Sequence, residues 1–101
     1  MHKNIIITGT GSYIPSVVKP NQQFCNNTFY TAEGKLIKEP VERTISKFNK
    51  ITDIEERRYA SENMTCSTLG TYAAEKAIED AGVDREDLDY VIVAHNFGDV
   101  V

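Results

Sequence analysis

The two stretches that decide the fold are IIITGTG at residues 5–11 and DYVIVAH at residues 89–95. Each contains a short apolar run rich in Ile or Val, which is typical of a strand buried on both faces of a parallel sheet. We therefore predict parallel strands at residues 5–8 and 90–94. Because two strands are too few for a complete sheet, the pattern predicts an incomplete portion of a larger α/β domain.

The clearest helical pattern between these stretches covers residues 65–82. Thr65 is suited to cap its N-terminus, Gly82 can end it in the left-handed conformation, and no proline interrupts it. Small residues dominate its apolar stripe, which lets a helix lie close on a sheet as crossover helices do. The stripe consists of Leu69, Ala73, Ala77 and Ala81, flanked by Ala74 and Ile78. The sequence thus predicts an α/β fold with a mostly parallel sheet and a crossover helix packed on it.

A second, amphipathic helix is predicted over residues 41–50. Its apolar positions are Val41, Ile45, Phe48 and Ile51, and its polar face carries Glu42, Arg43, Lys47 and Lys50. Residues 26–40 contain the Asn, Gly and Pro of a long irregular loop, which in a compact domain is often a lid or a mobile segment. Upstream, residues 17–18 are expected to be extended, and Asn21 is expected to cap a short helical turn through Cys25.

Composition and charge exclude several functional classes. The 101 residues hold 11 Lys and Arg against 15 Asp and Glu, and the net charge of −4 works against a nucleic-acid-binding surface. The longest apolar run, residues 90–94, is far short of a membrane span, and the N-terminus lacks the features of a signal peptide. Cys25 and Cys66 have no second ligand at zinc spacing, so we expect reduced thiols and no metal. These observations predict a cytoplasmic protein without a bound cofactor.

The sequence TGTG at residues 8–11 has a second interpretation as a dinucleotide-binding loop. That loop needs a third glycine at position 14 and a helix directly after it. Ile14 stands at that position, and Pro15 breaks a helix. A nucleotide-binding fold is therefore disfavoured.

Four blocks of the chain carry a family resemblance: GTGSYIP at residues 9–15, TDIEERR at 52–58, the segment 67–83, and DYVIVA at 89–94. In this order and spacing they resemble the N-terminal portion of the 3-oxoacyl-acyl carrier protein synthase III family, the condensing enzymes of the thiolase fold. Asp53 stands where the family has a glycine in its Thr-Gly-Ile block. The resemblance implies a partial thiolase-like fold over nearly the whole chain.

The family reaction uses a cysteine nucleophile with a histidine and an asparagine. The cysteine takes an acyl group from acyl-coenzyme A, and a carbanion formed by decarboxylation of malonyl-acyl carrier protein attacks the thioester. The resemblance implies that these three residues lie beyond the block ending at Ala94, so no catalytic residue is assigned. We expect the N-terminal part of an acyltransferase, inactive alone. Its parent would use acyl-coenzyme A and acyl carrier protein and would form a homo-oligomer.

The Cys and His residues of the chain are interpreted as structural. Cys66 lies near a helix N-terminus, where the dipole favours a thiolate, but the resemblance aligns it with a packing position. We expect a buried or half-buried thiol there and an inert Cys25. His95 follows the second predicted strand, at the edge where parallel sheets bind ligands, although a single histidine is more often a packing residue. His2 is expected on a frayed terminus.

For coenzyme A, the family uses an aromatic residue and an arginine just before the Thr-Gly-Ile block. This sequence has Ile51 where the arginine falls, with Lys47 and Lys50 nearby. We predict that Lys47 and Lys50 bind coenzyme A phosphates, with a solvated cationic helix face as the alternative. Arg57 and Arg58 are expected to form surface ion pairs with the preceding glutamates.

A different interpretation of the chain is a small stand-alone interaction or regulatory module without catalysis. The loop at residues 26–40, or an open sheet edge, would then bind a partner. The family resemblance favours the acyltransferase, and the module remains the alternative.

Overall fold

The computed structural model describes residues 4–100, which form two compact units. One unit is Pro15–Tyr59, and the other combines the residues up to Ile14 with those from Ala60 onwards. His2, expected on a frayed terminus, lies outside the described residues. In the described part of the chain, no helix is both long and apolar enough to cross a membrane.

Two short strands and two helices build the unit Pro15–Tyr59. In chain order they are β1 (Val17–Pro20), a 3-10 helix (Asn21–Asn26), α1 (Val41–Thr52) and β2 (Glu56–Tyr59). The two strands pair antiparallel, which confirms the extended conformation expected at residues 17–18. The buried residues of this unit are Asn21, Thr44 and Ile45.

Helix α1 confirms the helix predicted at residues 41–50 and continues to Thr52. It ends because Asp53 adopts the left-handed conformation, with φ 56° and ψ 26°. The N–H of Asp53 still donates to the carbonyl of Asn49 at 2.7 Å, which satisfies one of the free carbonyls at the helix end. A non-glycine residue with this φ is uncommon, and Asp is one of the residue types that tolerate it.

The inner face of α1 is narrower than the sequence pattern indicates. Thr44 and Ile45 are buried, but Ile51, expected on the same side, is 82% exposed. Helical residues advance by about 100° each, so Ile51 lies roughly 120° around the axis from Ile45. The prediction for Ile51 is therefore wrong.

Residues 29–37 form a compact turn where the sequence predicts an irregular loop. An antiparallel bridge joins Tyr30 to Leu36, although both side chains are more than half exposed. Phe29 packs edge-on against Phe48 of α1, with ring centroids 5.4 Å apart. The aromatic contact fixes the base of the turn on the helix.

In the other unit, α2 (Cys66–Ala81) confirms the helix predicted at residues 65–82. The Thr65 side chain accepts from the N–H of Thr68 at 3.3 Å, and the Thr68 side chain accepts from the N–H of Thr65 at 3.3 Å. Gly82 ends the helix in the left-handed conformation, with φ 66°. Both predicted caps are therefore confirmed.

Gly9 and Gly11 lie directly against the alanine stripe of α2. A Cβ placed on Gly9 would lie 2.6 Å from the carbonyl oxygen of Ala77, and one on Gly11 would lie 2.5 Å from that of Ala73. Ordinary van der Waals contacts are about 1 Å longer. The close approach that the small residues of α2 predict is confirmed, but its partner is a segment outside helix and strand and not a sheet.

The prediction of a parallel sheet formed by residues 5–8 and 90–94 is wrong. Neither segment is a strand, and the sheet formed by residues 4–100 is the two-stranded antiparallel pair of β1 and β2. A strand needs ladder hydrogen bonds to a neighbour, and an apolar run does not itself supply that neighbour. The apolar side chains of both segments stay exposed, Ile5 by 99% and Ile92 by 92%. The fold is an α/β mixture with a small antiparallel sheet, and not a mostly parallel, thiolase-like one.

Asn21 is a buried connecting residue, which corrects its prediction as a helix cap. The 3-10 helix begins at Asn21 itself, and no side chain caps it. Asn21 Nδ2 donates to the carbonyl of Ile54 at 2.7 Å, and its backbone N–H donates to the carbonyl of Glu55 at 3.0 Å. The amide is therefore used to join the 3-10 helix to the segment before β2.

Candidate functional site

Lys47, one of the two predicted phosphate-binding residues, is already paired with a carboxylate. Its Nζ lies 2.8 Å from Glu39 Oε1 and 3.0 Å from Oε2. This hydrogen bond is the largest cause that lowers the pKa of Glu39 below its ordinary value of 4.5. Thr44 also donates to Glu39 Oε1, at 3.4 Å. A ligand phosphate at Lys47 would have to displace this carboxylate.

Lys50, the second predicted residue, lines a groove of about 590 Å³ in the unit Pro15–Tyr59. The other charged residues of this groove are Glu55 and Glu56. Lys47 does not line it, so the structure does not bring the two lysines to one pocket. The groove alone therefore offers a polyanion one cation and two carboxylates.

Of the two arginines predicted to form ion pairs, Arg58 does so and Arg57 does not. Arg58 NH2 lies 3.8 Å from Glu56 Oε1, which confirms the expected surface pair. Arg57 NH1 instead donates to Asn21 Oδ1 at 2.7 Å. Arg57 is drawn to Asn21 because the buried amide oxygen needs a donor, whereas Glu56 is exposed to water.

The N-terminus of α2 is held by a carboxylate far along the chain. Asp99 Oδ1 accepts from the N–H of Ser67 at 3.0 Å, and Asp99 Oδ2 accepts a short hydrogen bond from the Ser67 hydroxyl. These two hydrogen bonds, the hydroxyl first, lower the pKa of Asp99 below its ordinary 3.8. A carboxylate at this end of a helix also interacts favourably with the helix dipole.

Cys66 and His95 line a second groove, of about 570 Å³, formed by α2 and residues 91–99. Cys66 is the first residue of α2 and is exposed, so the expectation of a buried or half-buried thiol is wrong. Cys25 is half-buried. No hydrogen bond joins Cys66 to His95, and a cysteine nucleophile needs a base within hydrogen-bond reach.

The described residues include no cluster of metal-ligating side chains. Residues 4–100 contain no group of three or more His, Cys, Asp and Glu side chains that could hold a metal ion. What the two units offer is a backbone framework with a cationic helix face.

Comparison with known proteins identifies relatives of the chain. The chain matches no family model. It is 39% identical over 92 residues to the beta-ketoacyl-[acyl-carrier-protein] synthase III 1 of Vibrio vulnificus (strain YJ016), a match covering 91% of this chain and 25% of that protein. It is 38% identical over 97 residues to the beta-ketoacyl-[acyl-carrier-protein] synthase III of Staphylococcus haemolyticus (strain JCSC1435), covering 96% of this chain and 27% of that protein. The chain is homologous to the beta-ketoacyl-[acyl-carrier-protein] synthase III family over this region. It spans about a quarter of the length of these relatives, and the homologous region is their N-terminal quarter.

The structure explains why the homologous region has a glycine in its Thr-Gly-Ile block. Its central position is Asp53 in this chain, and the backbone there is left-handed. Glycine reaches this conformation without steric cost, which accounts for the glycine that the family resemblance places at the end of α1.

Three polar contacts around these sites cannot be predicted from the sequence. Glu39 lies eight residues before Lys47, and Asp99 lies 32 residues after Ser67. Glu39 lies before the start of α1, so helical periodicity does not extend to it, and 32 residues is too long a separation for any local pattern. Only the contact of Arg57 has a signal in the sequence. Successive side chains of a strand point to opposite faces, so Arg57 points away from the face of Glu56 and Arg58.

Proposed function

We propose that the chain is the N-terminal part of an acyltransferase that condenses an acyl-coenzyme A primer with malonyl-acyl carrier protein. The observation that carries this proposal is the 39% identity over 92 of the 101 residues to a protein named beta-ketoacyl-[acyl-carrier-protein] synthase III 1. Such a reaction would begin fatty acid synthesis. On this proposal the chain contains none of the catalytic residues and is inactive alone.

In that enzyme the chain would have a structural role. The packing of Gly9 and Gly11 on α2 brings two of the resembling blocks into contact within one unit. Residues 5–7 and 90–93 carry exposed apolar side chains. Large contiguous exposed apolar surface is uncommon on a soluble monomer, so these segments are suited to further packing.

The cationic face of α1 would contact the acyl donor. Lys50 has no salt bridge within residues 4–100, so its ammonium is available to a phosphate. Lys47 would first have to exchange Glu39 for the ligand. Of the two predicted residues, Lys50 is therefore the one that can act without rearrangement, and Lys47 is limited by its partner.

A chimeric enzyme tests the proposal. Residues 1–101 replace the N-terminal quarter of the Vibrio vulnificus relative, and condensation of acyl-coenzyme A with malonyl-acyl carrier protein is measured. We expect a folded chimera with measurable condensing activity. The control chimera carries the matching quarter of the Staphylococcus haemolyticus relative. An active control beside a chimera that folds but does not condense would contradict the proposal.

The same chimera tests the two lysines separately. Lys50→Met should raise KM for acyl-coenzyme A by about threefold, the effect of an exposed charge contact of ~0.7 kcal/mol, and leave kcat unchanged. Glu39→Gln should lower KM, since it releases Lys47. Lys35→Met, in the turn at residues 29–37, is the control and should change neither. If Lys50→Met behaves like Lys35→Met, the cationic face of α1 is only a solvated surface.

A further inference from the structure

Lys19 and Arg57 form an unusual like-charge pair on the small sheet. The two residues are directly opposite each other in the antiparallel register of β1 and β2, so their side chains leave the same face. Like charges directly opposite on a sheet are destabilising. Something in the structure, or a ligand, must therefore compensate the pair.

Aromatic rings and one buried amide hold both cations in place. Lys19 Nζ lies 5.0 Å from the centroid of Phe24 and 4.8 Å from that of Tyr59, and Arg57 Cζ lies 5.4 Å from the same Phe24 ring. The Arg57 guanidinium also donates to Asn21, which is 8% exposed. Cation–π contacts favour these positions without removing the charge. Both cations are therefore positioned before any ligand arrives.

No carboxylate lies within salt-bridge distance of Lys19 or Arg57 in the described residues. The salt bridges among residues 4–100 are Lys47–Glu39, Arg58–Glu56 and Arg85–Glu75. The nearest of these acids in sequence, Glu56, is paired with Arg58, and both neighbours of Arg57 in β2 leave the opposite face. Lys19 and Arg57 are both half-buried and keep unused N–H donors.

We propose that Lys19 and Arg57 form a binding site for a phosphate group. A phosphate carries nearly two negative charges at neutral pH and several acceptor oxygens, so it can neutralise both cations and accept from both at once. A carboxylate carries one charge and would leave one cation uncompensated. The proposal rests on the contacts of Lys19 and Arg57, neither of which is used in the acyl-transfer proposal, so it does not depend on the function proposed above.

The test is a titration of the 101-residue chain with inorganic phosphate, followed by NMR of the Lys19 amide and the Arg57 Nε–H. Acetate at matched ionic strength is the control anion. We expect saturable shifts with a dissociation constant on the order of 1 mM for phosphate, and none for acetate. Lys19→Met should weaken phosphate binding at least ~5-fold, as expected for loss of a charge-assisted hydrogen bond. Arg58→Met, which removes a cation of the opposite face, should leave it within about twofold.

Three results would overturn the proposal. They are unsaturable shifts, equal responses to phosphate and acetate, and an Arg58→Met effect as large as that of Lys19→Met, which would indicate general charge attraction. The amide shifts of β1 and β2 report whether Lys19→Met still folds. If it does not, the comparison of phosphate with acetate on the unaltered chain decides the question.

Discussion

Replacing Gly11 by alanine tests the packing of residues 9–11 on α2. The Cβ of an alanine at this position would meet the backbone nitrogen of Ala77 and lie 2.5 Å from the carbonyl oxygen of Ala73. Both atoms belong to the backbone of α2, so they cannot yield as the end of a flexible side chain could. Gly11 does not have a positive φ, so its own backbone would accept alanine and the lack of space alone decides the effect.

The expected cost follows from two opposing terms. Overpacking against a rigid neighbour costs about 1–3 kcal/mol. Alanine also lowers the conformational entropy of the unfolded chain. Where the native backbone conformation suits alanine, this stabilises the folded state by about 0.4–1 kcal/mol. We expect Gly11→Ala to lower the free energy of unfolding by roughly 1–2 kcal/mol.

Gly70 offers a matched control within the same unit. It lies inside α2, and a Cβ there would meet no atom within 4 Å. Gly70→Ala should therefore raise the free energy of unfolding by about 0.5–1 kcal/mol, through helix propensity. Both variants are compared with the unaltered chain by urea unfolding, followed by circular dichroism at the helix band. If Gly11→Ala is neutral or matches Gly70→Ala, the segment at residues 9–11 does not pack on α2 as described.

Four further predictions follow from single features of the chain. Asp53→Gly should stabilise by about 0.5–1 kcal/mol in urea unfolding, because relief of the left-handed strain exceeds the added chain entropy; a loss of stability would contradict the strain at this cap. The pKa of Asp99 is lowered by Ser67, so its stabilisation of the α2 N-terminus should be complete above its ordinary 3.8 and lost as the pH falls through the lower folded value; the Ser67 amide shift should follow this titration, and Asp99→Asn should abolish it. The chain alone should show no acyltransferase activity, and mass spectrometry after acetyl-coenzyme A treatment should show no adduct at Cys66; a stoichiometric gain that Cys66→Ser removes would refute this. The exposed apolar segments at residues 5–7 and 90–93 should drive self-association, which a monomer of 11.3 kDa persisting across a wide concentration range in sedimentation would disprove.

The parts of the fold that the sequence predicts are those fixed by neighbouring residues. Thr65 and Gly82 act within one helical turn of the groups they satisfy, so both ends of α2 can be predicted from local chemistry. The close approach of another segment to α2 can be predicted in the same way, because alanines at every fourth position give one face of the helix only small side chains. The partner of this face, Gly9 and Gly11, cannot be predicted from local sequence, because it is about 60 residues or more away along the chain.

The strand predictions failed because a strand is defined by its partner. The runs at residues 5–8 and 90–94 have the side chains of buried strands, but they form no ladder within the described residues. The pairing that does form joins β1 to β2, whose sequences VVKP and ERRY show little apolar alternation. Their pairing depends on non-local contacts such as that of Arg57 with Asn21, and no sequence window contains both residues.

The candidate site on α1 shows why a count of cations does not define a binding face. The family resemblance places a coenzyme A-contacting arginine at Ile51, which is 82% exposed in this chain. Residues four apart lie on the same side of a helix, so Lys47 supplies a cation one turn before Ile51. Glu39 accepts two hydrogen bonds from that cation and reduces the net charge of the face. On the proposed function, recognition of a phosphate on α1 would therefore depend on displacing Glu39 from Lys47, and Lys50, which forms no salt bridge within residues 4–100, would supply the first attraction.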